Sequence, residues 1–170
     1  MSSDGGPEHD NPRLQGPAVV GPAGEPLTRL ASAPWAGTEI DSTHTPLICT
    51  GILGQPDQLV EVRHRLERWA IGAGLGAAAV ADLVLASYEA LANAAEHAYP
   101  PAEDGLVDLA AARTTGGRIL VIVTDHGTWR PPPADQGFRG RGLQMIMALS
   151  HRAQVTPGPR GTTVHMEWKV

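Results

Sequence analysis

Three stretches of this chain carry polar groups at spacings that chemistry would use. Glu89, Asn93 and His97 recur every four residues, so on a helix they stand in a row, one turn apart. A carboxyl, an amide and an imidazole stacked this way gain little from one another. A bound cation with a polyanionic ligand would give them a role, and a solvated helix face is the plain alternative. Asp125-His126-Gly127 closes an apolar run, Arg118–Thr124. A carboxyl at the end of a buried strand, followed by a glycine that lets backbone come close, suits recognition of a nucleobase; it also suits an ordinary strand exit. Arg139-Gly140-Arg141-Gly142-Leu143 opens a short apolar helix with two glycines and two guanidinium groups. Free backbone N–H groups, the positive end of the helix dipole and no Cβ in the way make an anion site, or else a helix entry with glycines for turning; the paired arginines favour the phosphate reading.

The elements that must position these groups follow from pattern and punctuation. Residues 80–100 are rich in Leu, Ala, Val and Glu, without Gly or Pro until Pro100, which predicts a helix of about five turns. Val80, Val84, Ser87, Leu91, Ala94 and Ala98 form its packing face, opposite Asp82, Glu89, Asn93 and Glu96. Ahead of it, Leu47–Leu53 reads as a first strand. Pro56 and Asp57 then open a helix with an apolar stripe at Leu59, Val62, Leu66 and Trp69, ended by Gly72 and Gly74. Arg63, His64, Arg65, Glu67 and Arg68 lie off that stripe as a solvated face.

Beyond Pro100-Pro101, Leu106–Ala112 and Arg118–Thr124 form a hairpin around Thr114–Gly117, the second strand apolar enough to be buried. Residues 128–141 carry three prolines and no periodicity, as a functional loop such as a lid would. A short helix from Leu143 and two strands, Ala153–Thr156 and Thr162–Val170, complete the chain.

Composition bounds the rest. Hydrophobic residues make up 42% and charged residues 18%, as in a globular domain, and with aromatics at 4% the core must be built from Ala, Val, Leu and Ile. The net charge of −5 argues against nucleic acid as a direct partner. Cys49 is alone, which leaves no disulfide framework and no cysteine zinc site. No uninterrupted apolar run of membrane-spanning length and no signal-peptide pattern is evident, so a cytoplasmic protein without a membrane partner is the expectation. Residues 1–43, rich in Gly, Pro, Ser and Asp, read as a disordered arm, with Val19, Val20 and Trp35 its sticking points, and residues 44–170 as the folded domain.

The order of these elements and motifs resembles the GHKL ATP-binding superfamily and, more narrowly, the small anti-sigma factor serine/threonine kinases. Four motifs carry the resemblance over about residues 46–170: Glu89-Ala-Leu-Ala-Asn93-Ala-Ala-Glu-His97-Ala-Tyr99 as the N-box, Asp125-His126-Gly127 as the adenine box, Arg139–Leu143 as the glycine box, and Gly161-Thr162-Thr163 at the start of the last strand. The resemblance implies an α/β two-layer sandwich, a mixed, mostly antiparallel sheet with helices on one face. It implies ATP as substrate with Mg²⁺ held through Asn93, and His97 near the phosphates. Asp125 would accept the adenine amino group beside Gly127, Arg139, Gly140, Arg141, Gly142 and Leu143 would contact phosphate, and Thr162 or Thr163 would add a hydroxyl near the base. Glu89 would be the general base of a kinase acting on an anti-anti-sigma protein, while the domain sequesters a sigma factor. Homodimerisation follows from the resemblance alone. An ATP-binding partner-switching module without kinase activity is the alternative, and Glu89 favours the enzyme. In one place the chain departs from the family: Trp129 stands where much of the superfamily has the second glycine of the adenine box, which alters the hinge of the lid.

Overall fold

A computed structural model describes residues 39–99, 105–127, 141–159 and 161–170. Most of the arm, the proline loop with Trp129, and Arg139 and Gly140 lie outside the described residues, as does the side chain of Arg141. The described chain runs β1 (Leu47–Leu53), α1 (Pro56–Gly72), α2 (Ala77–His97), β2 (Leu106–Arg113), β3 (Arg118–Asp125), α3 (Arg141–Leu149), β4 (Arg152–Gly158) and β5 (Gly161–Lys169). The five strands form one sheet in the order β1-β2-β3-β5-β4. All four pairings are antiparallel, the limiting case of the mostly antiparallel sheet expected.

Strand alternation divides the sheet into two faces. Val107, Leu109, Val121, Val123, Met166 and Trp168 point to the helical side, where they meet Leu66, Leu83, Leu91 and Ile146 in the main core. Each large side chain buried there contributes roughly 1.5–3 kcal/mol. On α2 the expected packing face is buried throughout, from Val80 to Ala98. Leu83, Ala86 and Ala90 are buried as well, so the helix is wrapped on more than one side. Its small alanines let neighbouring backbone approach closely. By length and a mean hydropathy of 1.2, Ala77–His97 is also apolar enough to pass for a membrane span, although no uninterrupted apolar run marks it; here it is the central core helix.

The other face of the sheet has a smaller cluster, Ala110, Ala112, Leu120 and Ile122, with Ile40 packed against it. Beside this cluster Glu167 is 1% exposed, and Arg118 Nη1 reaches both of its carboxyl oxygens, at 3.1 and 3.2 Å. His165 is buried on the same face, which pushes its pKa down.

Among the described residues, backbone bonding to the sheet is already present at Glu39, ahead of residue 44, where composition places the start of the folded domain. The Glu39 carbonyl accepts the Thr115 N–H at 2.9 Å, the Asp41 N–H donates to Arg113 at 2.8 Å, and Ile40 bridges Thr114. At the β1 edge the ladder shifts register between Cys49 and Ile52, where Gly51 has φ +66° and donates its N–H to Asp108 Oδ1 at 2.9 Å.

Candidate nucleotide site

Three close approaches bring the motif residues together. The first joins α2 to the start of α3. A Cβ built on Gly142 would lie 2.7 Å from Asn93 Nδ2 and 3.1 Å from its Oδ1, so only glycine leaves the amide where it stands. Asn93 Nδ2 is buried and, among the described residues, has no hydrogen-bond partner. A buried N–H₂ without an acceptor costs about 1–3 kcal/mol, which a ligand oxygen at this position would recover. Glu89 stands one turn before Asn93, half-buried.

The second approach joins the end of α2 to the turn after β3: a Cβ on Gly127 would run into the carbonyl oxygen of Ala98. The third joins the end of β3 to the start of β5. Gly161 sits at φ +115°, and a side chain there would collide with the backbone carbonyl of Asp125. This contact brings the Thr162 N–H to Asp125 Oδ1 at 3.1 Å, and the Gly127 N–H reaches the same oxygen at 3.0 Å. Asp125 is 5% exposed. Its Oδ1 is occupied by these two bonds, while Oδ2 takes part in neither and is the oxygen that could face a ligand donor.

The remaining motif residues are placed as follows. Thr162 shares the helical side of the sheet with Asp125 by the alternation of β5. Thr163 points to the other face, where its hydroxyl lies 3.3 Å from that of Thr124. Of the two threonines, the structure therefore puts Thr162 with the site and takes Thr163 away from it. Leu143 packs its side chain against the core, so only its backbone can serve a ligand. His97 is at the exposed end of α2, its Nε2 3.8 Å from Glu96 Oε2, and no described hydrogen bond or ion pair joins it to Asn93 or Gly142, the end where phosphates are expected.

Two further residues brace the Asp125–Gly127 turn: Tyr99, which ends the N-box but has no role assigned by the resemblance, and Asp108, which lies outside every motif. The Tyr99 hydroxyl accepts the His126 N–H at 2.9 Å and donates to the Leu106 carbonyl at 2.5 Å. Asp108 Oδ2 lies 2.9 Å from His126 Nε2. The faint signal for the first is a tyrosine two residues past His97, with Gly105 following to make room for its ring.

Comparison with known proteins places the fold. A family model described as the histidine kinase-like ATPase domain matches residues 52–168. The crystal structure of the RsbU and RsbW domains of Rv1364c from Mycobacterium tuberculosis is 29% identical, with a TM-score of 0.60 over 74% of this chain. This chain spans about a third of that protein, 32% of its length. The SiaB–SiaC complex from Pseudomonas aeruginosa is 16% identical over 72% of this chain and 88% of that one, with a TM-score of 0.55, a likeness of fold. With the family model covering residues 52–168, most of its length, this chain belongs to the histidine kinase-like ATPase domain family.

Proposed function

We infer that this domain binds ATP with Mg²⁺ and transfers the terminal phosphoryl group to a serine or threonine of a small anti-anti-sigma-type protein, switching between that partner and a sigma factor in the cytoplasm. The observation that carries the nucleotide part is the buried amide of Asn93, held without a partner against Gly142 at a helix start. Asn93 Oδ1 suits a hard cation and Nδ2 a phosphate oxygen. Mg²⁺ bound there would draw its other ligands from phosphate and water, neutralising charge on the phosphates. The backbone N–H groups at the start of α3 suit an anion, and Asp125 Oδ2 suits the adenine amino group.

In the transfer, Glu89 takes the proton of the attacking hydroxyl as its oxygen forms a bond to the γ-phosphorus. The bond to the β–γ bridging oxygen breaks and ADP leaves. The motif resemblance and the likeness to a chain with an RsbW domain support a protein substrate.

Calorimetry with ATP, with and without Mg²⁺ and with GTP as control, tests the first step. Mg²⁺-dependent binding that prefers adenine is expected, and equal affinity for GTP would sink the role of Asp125. For the second step, Glu89→Ala should keep ATP affinity and lose transfer of labelled phosphate to the partner; retained transfer removes Glu89 as base.

A further inference from the structure

Tyr99 follows α2 directly, two residues past His97 and six past Asn93, and it is tied at both ends of its side chain. The ring lies so close to Gly105 that a Cβ there would fall within it. The hydroxyl donates to the Leu106 carbonyl at the start of β2 and accepts the N–H of His126, the middle residue of the Asp125–Gly127 turn. Burial pushes the phenol's pKa up, so it keeps the proton that the bond to Leu106 requires. On its other side the same turn is held by the His126 imidazole against Asp108, whose second oxygen takes the Gly51 N–H. The helix that carries Glu89 and Asn93 is thus fastened, through one hydroxyl, to the turn that carries Asp125.

We propose that Tyr99 is a positioning residue for adenine recognition: its hydroxyl fixes the spacing between the Asn93 end of the site and Asp125. This rests on the nucleotide reading of the site. A base-end effect differs from general loosening in what it spares. Loss of the hydroxyl displaces Asp125 and leaves the Gly142–Asn93 contact untouched, so ATP and ADP must lose affinity by the same factor, while the preference over GTP narrows.

Tyr99→Phe, which keeps the ring over Gly105, tests this in the full chain by calorimetry and by amide exchange at His126. If the displaced Asp125 gives up the worth of one net hydrogen bond to the base, affinity falls roughly 2- to 13-fold, equally for ATP and ADP. The exchange of the His126 N–H should quicken about tenfold or more. Because coupling is reciprocal, saturating MgATP should slow that exchange in the unaltered protein, a measurement that needs no variant. Unchanged ATP affinity in Tyr99→Phe, a loss confined to ATP, or exchange indifferent to MgATP would each overturn the proposal. If the unaltered protein bound no ATP, the site reading itself would fail, and the first titration separates that failure from the others.

Discussion

Gly142→Ala separates the integrity of the fold from that of the site. The new methyl would sit 2.7 Å from Asn93 Nδ2, 3.1 Å from Oδ1 and 3.3 Å from Cγ, too close for all three. The obstacle is the end of a side chain with two free torsions, so Asn93 can swing away at little cost to the fold. In a helix, alanine gains roughly 0.5–1 kcal/mol over glycine, which offsets part of the crowding. The melting temperature should therefore stay within about 3 °C of the parent, at roughly 2–4 °C per kcal/mol for a chain of this size. MgATP affinity should not survive so well. Losing one hydrogen bond to a charged group costs about 1.5–3 kcal/mol, or roughly 10- to 150-fold in dissociation constant. Calorimetry on Gly142→Ala, Asn93→Ala and the double variant completes the test. The methyl acts through the amide, so the double variant should bind no worse than Asn93→Ala alone. Affinity within twofold of the parent would refute the reasoning. Fully additive losses would do so too, because they would mean that Gly142 serves the ligand independently of Asn93.

Gly161→Ala should behave in the opposite way. At φ +115° and against the Asp125 carbonyl nothing flexible can give, so a cost of about 3 kcal/mol or more should appear as a melting temperature roughly 6–12 °C lower; an unshifted melt would show that the β3–β5 approach is looser than described. His165 makes stability depend on pH. Burial holds its folded pKa below the ordinary 6.5, so the unfolded chain binds the proton first, and stability falls as pH drops from about 6.5 through the folded pKa. Denaturant midpoints for the parent and His165→Gln between about pH 7.5 and 5 should diverge in that window, and parallel curves would count against the buried imidazole.

The fold was legible because its punctuation is chemical. Pro56 starts α1 and Gly72 closes it, and Leu47–Leu53 forms β1 over the span that its β-rich composition indicates. Glu89 and Asn93 declared themselves as polar groups on an apolar helix, and Gly127 and Gly161 earn their places by contacts that no other residue could make. Asp108 stayed silent, and Tyr99 showed only as the end of the N-box, because their partner, His126, is 18 and 27 residues away and a local pattern carries no trace of such pairings. Thr163 shows a different limit. Alternation out of step with Val164 and Met166 puts it on the face opposite the core, yet only the register of β5 against β3 reveals that the site lies on the other side. The bonds of Glu39 and Asp41 are made by backbone, which composition does not report.

The two borders of the sheet differ from its interior in one respect that bears on association. At β1 the ladder is interrupted between Cys49 and Ile52 by the bulge at Gly51. At β4 the outward residues are polar or exposed, and Pro157 removes a backbone donor. A second chain that tried to extend the sheet would meet a kink on one side and a gap in the donor row on the other. Among the described residues, strand-by-strand recruitment, the route by which unprotected sheets grow into aggregates, is hindered at both borders. A partner held by the side chains of helices and loops would in turn be exchanged for another without the sheet being taken apart.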